Sequence, residues 1–554
     1  MSRCRPFCLA VSSLGLVLLG FLVMGPETGE ARIPSSGLAA PYPEAPDSLP
    51  AILLEPFPLY ERGVMGPYTR PITTRDAEAQ AFFDQGLQLF YSFAPVDAAR
   101  SFHEAQKRDP SCAICFWGEA LAWGPFLNGA LRGENAPRAY EATQEAMGLL
   151  DRATPVEQAL IEAMAVRYTP THDPTTRAAL DSIYADAMAD VHARFPNDHE
   201  VGTLYAESLM ILEPRRGNWD IEKPSVALIH RVLGGVLDRD LTHPGACHLY
   251  IHATESTIRP DLAEACADVL THTVPGASHM NHMPSHTYNR VGRWGDATRS
   301  NLEAWHSDQR AEFGEGFAIY PTHNLHMLLF SASYDGQGAI AIQAAKDYAK
   351  LVEDGEFYRV LTKLRFGRFD EILLLANPPE NPVFRGLWDF GRGYAHLHQG
   401  TPDSAAHYLA RVDEAAGSHP DAQFRGHTAE DLLGVVSGIL RSEIHRKEGQ
   451  TAQAIRALEV AVELEDGLRY DEPEPLPFSA RHWLGALHLE AGDPSAAETV
   501  YQADLEKHPR NGWSLLGLAQ ALEAQDRTEE AAQVRGRLRE SWVRSDTWLR
   551  SSRF

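Results

Sequence analysis

Along most of this chain, small residues recur against bulky ones at a helical spacing. Ala98, Phe102, Ala105 and Pro110 set a small residue, a bulky one four later, a small one three later and a proline five beyond that. Ala497, Tyr501 and Pro509 repeat three of those four places. Steps of three and four keep side chains on one face of an α-helix, and a helix usually stops before proline. The alternation of period two that marks a half-buried strand is nearly missing, since Val and Ile seldom alternate with polar residues. The pattern therefore predicts an all-α fold.

The same frame continues elsewhere: Gly393 with Ala405 and Leu409, Ala454 with Leu458 and Ala461, Gly485 with Ala497, and Ala519 with Ala531. This spacing resembles the tetratricopeptide repeat, a helix–turn–helix unit of about 34 residues with Ala at repeat positions 20 and 27 and Pro at 32. The resemblance implies a solenoid, a superhelix of antiparallel helix pairs, over roughly residues 81–554, with degenerate stretches near 130–200 and 351–380. It divides the chain into amino-terminal repeats at 81–200, central repeats at 201–350 and carboxy-terminal repeats at 351–554. Residues 32–80 are rich in Pro and Gly and predict an extended leader.

Arg3 and Arg5 precede an apolar stretch from Leu9 to about Met24, and Gly29-Glu30-Ala31 offers a small-x-small cleavage site. This predicts a signal peptide over 1–31 and a periplasmic or secreted protein. The alternative is an uncleaved anchor that tethers the protein to the membrane, because the stretch is nearly long enough to span. No later run is apolar enough to cross a bilayer, so no membrane insertion is expected after cleavage. A formal net charge of -25 would repel phosphates and anionic lipid, and nucleic acid is not expected as a partner.

Of six Cys, Cys4 and Cys8 fall in the signal, leaving Cys112, Cys115, Cys247 and Cys266. An even number in an oxidising compartment predicts structural bridges. Haem attachment would need a His after Cys115, where Phe116 stands. Cys247 and Cys266 fall at positions 4 and 23 of one repeat, on facing helices. A disulfide there would brace the helix carrying His248 and His252.

The candidate chemistry is central. Eleven of the 24 His lie between His230 and His326, in the strings Cys247-His-Leu-Tyr-Ile-His-Ala-Thr-Glu255, His279-Met-Asn-His-Met-Pro-Ser-His286 and His323-Asn-Leu-His326. His248 and His252 are four apart, as are His282 and His286, and side chains so spaced share a helix face and can chelate one ion. Pro275 at position 32 sets repeats at 244 and 278, which puts His248 and His282 at position 5 and His252 and His286 at position 9. A third repeat set at about 322 puts His326 at position 5. His279 and His323 fall at or near position 2, Glu255 at position 12 and Glu207 near position 9 of the preceding repeat. In the resembled repeat that stripe lines a concave groove.

The ligands expected on this frame are His248, His252, His282, His286 and His326, with Glu255 and His323 behind them. Neutral imidazoles beside a carboxylate, with no thiolate, suit one or two divalent ions of Zn, Cu or Fe. The missing His-Glu-x-x-His string removes the usual helical metalloprotease reading. Hydrolysis by a metal-bound hydroxide and copper-based oxygen chemistry both stay open. So do satisfied structural His and a groove that holds a small molecule or peptide. Distant polar segments, Trp117-Gly-Glu119, Asn128, Tyr470-Asp-Glu-Pro-Glu474 with Arg481 and His482, and Asn511-Gly-Trp513, could line one cavity in a superhelix or simply cap and pack.

The three His strings, with Cys-Phe-Trp-Gly-Glu-Ala-Leu at 115–121 and Asn-Gly-Trp at 511–513, resemble a group of bacterial exported tetratricopeptide-repeat proteins with histidine-bearing central repeats. The repeat family as a whole implies partner binding, whereas paired His in its groove point to a metalloprotein, an oxidase or hydrolase. The second expectation is a binding scaffold with a structural metal or none.

Overall fold

The computed structural model describes residues 49–215, 217–419 and 421–554. The expected signal peptide and the first part of the leader, residues 32–48, lie outside the described residues. From Ala77 onward the chain is a succession of antiparallel helix pairs, beginning with Ala77–Tyr91 against Pro95–Arg108 and ending with Gly512–Glu523 against Thr528–Ser541. Local chemistry fixes the boundaries. Asp76, Asp198, Thr428, Asp493 and Asn511 each cap a helix, their side-chain oxygens accepting backbone N–H bonds of the first turn. Pro stands in the first turn of many helices, where its missing N–H costs nothing.

The small-and-bulky stripe works as a socket. Phe102 is fully buried, and a Cβ built on Gly86 or Gly118 would meet its ring at 2.6 or 2.4 Å. Tyr501 sits in the same way between Gly485 and Gly517, at 2.4 and 2.1 Å. In each case a second helix drives one large ring between the glycines of two neighbouring first helices, which fixes how successive pairs stack. The stretches at 130–200 and 351–380, degenerate in sequence, still form helices such as Arg177–Arg194 and Glu356–Arg365. Two paired strands of two residues each, Gln423–Phe424 and His427–Thr428, depart from the all-helical pattern.

The described part of the leader is mostly non-helical, with short turns at Ala51–Leu54 and Arg62–Met65. It is packed along the repeats rather than free. Leu53, Phe57 and Met65 are buried, Arg70 pairs with Asp198 at 2.8 Å, and Thr73 bonds Glu157. The carboxy terminus turns back onto the central repeats, where Arg544 pairs with Asp335 and Trp294 Nε1 donates to the Pro509 carbonyl at 2.8 Å. The apolar core falls into clusters, one running to Ile319 and the next beginning at Leu325. That break coincides with the histidines. Among the described residues no helix is long and apolar enough to cross a membrane.

The socket predicts opposite outcomes for two glycines. Gly517→Ala forces a methyl into the Tyr501 ring, and overpacking should lower stability by about 1–3 kcal/mol. Gly234→Ala, in helix Pro224–Leu237 with nothing within 4 Å of its Cβ, should be neutral or stabilising by up to about 1 kcal/mol. Thermal melts of the two variants check both.

Candidate metal centre

The repeat frame holds where the histidines are. Helices begin at Pro244, Ser278 and Pro321, within a residue of the expected starts. Pro284 interrupts the second of these, leaving Ser278–His282 and Pro284–Val291 on either side of Met283, because proline has no N–H to continue the ladder. His282 and His286 straddle that break.

Six imidazoles converge in two sets of three. His248, His252 and His279 have ligand nitrogens within 4.8 Å of one another, and so do His282, His286 and His323. The sets adjoin, with His252 and His286 ring centroids 5.7 Å apart and His279 and His282 likewise 5.7 Å. Each set follows one rule: positions 5 and 9 of one repeat plus position 2 of the next.

Within each pair, one nitrogen is held from behind and the other points inward. His248 Nδ1 lies 2.6 Å from the Tyr91 carbonyl, at the end of helix Ala77–Tyr91. A carbonyl only accepts, so that contact assigns the proton to Nδ1 and leaves Nε2 a bare lone pair. His282 Nδ1 lies 2.6 Å from Asn301 Oδ1, and the Asn301 amide is oriented by Nδ2 donating to Ala297 at 2.9 Å. His252 Nδ1 faces Glu255 at 2.8 Å. His286 Nδ1 faces both Glu255 and Glu472, the latter at 3.0 Å. The inward Nε2 atoms stand 3.1 Å apart in the His248–His252 pair and 2.8 Å apart in the His282–His286 pair. His279 is fully buried with neither ring nitrogen hydrogen-bonded.

Two lone pairs at such distances repel unless a proton or a cation lies between them. Burial, the largest cause in each case, holds His248, His252, His279 and His323 well below the ordinary imidazole value, and neighbouring rings and arginines add to it. His282 is pushed down to about 3 by burial and by His286. Burial also opposes charge on His286, but Glu255 and Glu472 outweigh it and lift the group to about 9. A proton can thus answer the His282–His286 pair, while the His248–His252 pair stays neutral. Neutral imidazoles are what a metal needs. Two ligands about 2.05 Å from one ion sit about 2.9 Å apart at a right angle and about 3.3 Å apart at the tetrahedral angle. The His282–His286 spacing matches the right angle, and the His248–His252 spacing falls between the two.

The carboxylates belong to the outer layer. Arg215 binds Glu472 at 3.1 Å, approaches Glu255 at 3.7 Å and donates to Asn128 at 2.7 Å. Burial works against charge on Glu472, yet Arg215 and His286 bring it down to about 2. His252, Glu255, His286 and Glu472 also form a grouping with ligand spacing, through the Nδ1 atoms. Hydrogen bonds from ligand histidines to carboxylates orient such rings and raise their basicity. Two aromatic residues close the chamber. The Phe93 ring lies 4.2 Å from His248 and parallel to His252, and Tyr320 stands edge-on to His279. Both hold left-handed backbone conformations, φ 60° and 56°, which costs a non-glycine residue about 1 kcal/mol or more.

Several expectations change. His326 does not join the cluster: its ring lies among Tyr348, Tyr358 and Phe424, and its Nε2 bonds the Tyr358 hydroxyl. The third repeat carries Phe330 at position 9, so His326 has no chelating neighbour, and His323 one turn earlier takes the place instead. Cys247 and Cys266 are buried free thiols rather than a bridge, the Cys247 thiol donating to the Leu241 carbonyl at 3.1 Å, whereas Cys112 and Cys115 form a disulfide. Glu207 is buried outside both sets, its carboxyl raised to about 7 by burial. The histidines do not line an open groove, because Phe93, Tyr320 and Glu472 of the loop at 470–474 lie against them. Glu119 is a structural ion-pair partner of Arg138 at 2.6 Å. Spacing alone did not select His279 or Glu472 as site residues. His279 had a usable signal, position 2 of the next repeat, while Glu472 comes from a loop more than 180 residues away.

Tetratricopeptide-repeat family models match residues 440–511 and 488–541, so the stretch 440–541 consists of such repeats. No curated protein matches the sequence. Solved structures similar to this chain include yeast Tom70, 13% identical over 86% of this chain and 93% of that one with a TM-score of 0.30. They also include the APC/C hetero-tetramer Cut9-Hcn1, at 11%, 84%, 76% and 0.29, and the human IFIT1 dimer with m7Gppp-AAAA, at 9%, 84%, 90% and 0.30. At these TM-scores none carries an argument about this chain.

The shifts of these six imidazoles give the cluster's own contribution to the pH response of the metal-free protein. An unfolded His takes up its proton near pH 6.5, before the five depressed imidazoles do, so their stability is present above 6.5 and is lost as pH falls. His286 has the opposite sign: its contribution is full below 6.5 and disappears as pH rises through about 9. Melting temperature measured from pH 4 to 10 should peak between these limits, and His286→Gln should flatten the alkaline limb.

Proposed function

We propose that this chain is a metalloprotein in which two adjoining three-histidine sites hold a pair of transition-metal ions, copper first among them, for oxidation of an organic substrate by dioxygen. The observation that carries this reading is the inward convergence of imidazoles whose other nitrogens are held by the Tyr91 carbonyl, Asn301, Glu255 and Glu472. An all-nitrogen donor set with Nε2 atoms 2.8 and 3.1 Å apart, closer than the tetrahedral angle sets them, suits copper(II) better than tetrahedral zinc.

A copper pair supplies two one-electron steps, the number needed for a two-electron oxidation. The chain's own residues orient and shield it: Glu255 and Glu472 hold His252 and His286, and Phe93 and Tyr320 exclude water. Export to an oxidising compartment belongs to this reading, supported by the amino-terminal apolar stretch and the Cys112–Cys115 bridge. Partner binding by the repeats at 440–541 is the scaffold reading. A peptide could not reach the histidines without uncovering them, since five of the six are at most 4% exposed.

Copper loading of purified protein, followed by elemental analysis, tests the assignment. Wild type should retain two ions per chain, His279→Ala and His323→Ala one each, and His326→Ala two. Glu255→Gln should keep both sites but weaken them by about 10–100-fold. Wild type that binds no copper or zinc, or a His326→Ala loss equal to the other two, would refute the reading.

A further inference from the structure

The loop at 470–474 also walls a second chamber. A cavity of about 390 Å³ lies beside His286 and Glu472, bordered by Trp219, Arg290, Trp294, Phe330, Arg469 and Tyr470. It touches the metal-bearing helix from the Nδ1 side, behind the ring whose Nε2 faces His282.

Its charges are unevenly matched. Five carboxylates border the cavity, and each is already answered. Glu472 has Arg215 and His286, Glu474 has His508 at 3.0 Å, and Asp466 has Arg481 and Lys507. Asp471 pairs with Arg425 at 2.5 Å. Glu465 accepts from Ser479 and the Ala480 backbone. Two guanidiniums have no such partner. Arg290 donates to the Thr257 carbonyl and keeps its Nε buried without a hydrogen bond, and Arg469 donates to the Arg425 carbonyl. Among the described residues neither forms an ion pair with a carboxylate. The cavity's unanswered charge is therefore positive, and it belongs to arginine, whose planar fork fits a carboxylate. Trp219, Trp294, Phe330 and Met327 supply an apolar and aromatic part of the wall, and Asn218, Ser256 and Asn289 a neutral polar part.

We infer that this cavity is a binding site for a small organic acid, its carboxylate met by Arg290 and Arg469 and its apolar or aromatic body laid against Trp219, Trp294 and Phe330. A neutral analogue forfeits the charge-assisted hydrogen bonds, and a cationic one meets unpaired guanidinium. The inference deepens the metal-centre reading, because the occupant lies against His286 and Glu472. It rests on that reading only for what becomes of the ligand after binding.

The test is calorimetric titration of the full chain, metal-loaded and metal-free, with phenylacetate, phenethyl alcohol and phenethylamine, while tryptophan fluorescence is followed. Phenylacetate should bind at least about tenfold tighter than either analogue. Arg290→Gln should weaken it by roughly 10–100-fold, the loss of a charge-assisted pair. Metal content should not change in that variant. Arg469→Gln, at an exposed position, should act in the same direction and serves if Arg290→Gln fails to fold. Equal or tighter binding of the alcohol or amine, no binding of any of the three, or unchanged affinity in the arginine variants would overturn the inference. Phenylacetate binding by a protein that takes up no metal would sustain the cavity and remove the metal centre.

Discussion

Pairs of imidazole nitrogens pointed at each other inside a protein core are a constraint that the rest of this molecule serves. Each of His248, His252, His282 and His286 has one nitrogen committed to an acceptor behind it. The remaining lone pairs stand 2.8–3.1 Å apart in a chamber that disfavours protonation of most of the rings. Packing of apolar residues would never select that arrangement, since every ring could be replaced by a better-packed hydrocarbon. A positive centre between the nitrogens removes the repulsion and uses the second-layer contacts that the fold maintains.

The solenoid is suited to building such a place. Each first helix delivers side chains in register with its neighbours, because the large ring of a second helix locks between glycines of adjacent first helices, as Phe102 and Tyr501 do. A site that needs three imidazoles from two consecutive helices then requires only the same repeat positions to be occupied twice. What the register cannot provide comes from far away in sequence. Tyr91 offers a helix-end carbonyl, Arg215, steadied by Asn128, holds the carboxylates, and the loop at 470–474 brings Glu472 across from the carboxy-terminal repeats.

Legibility in the sequence followed that division. The helix pairs, their start points at 244, 278 and about 322, and the His248–His252 and His282–His286 pairs could be read from spacing, since period and offset are local properties. His326 looked equivalent to His248 and His282 by position, yet equivalence fails without a histidine at position 9, where Phe330 stands. His279 carried the right offset and went unselected because position 2 of a following repeat joins a set only once the stacking is known. Glu472 and Asn301 left no periodic trace. The reach of a loop and the orientation of an amide are set by tertiary packing. Cys247 and Cys266 show the reverse error, correct facing helices and two thiols that stay unbridged.

Anomalous diffraction from copper-loaded crystals tests the central claim most directly. Two peaks are predicted, one bounded by Nε2 of His248 and His252 with a nitrogen of His279, the other by Nε2 of His282 and His286 with a nitrogen of His323. A single peak held by the Nδ1 atoms of His252 and His286 with Glu255 and Glu472, or no peak among these residues, would contradict it.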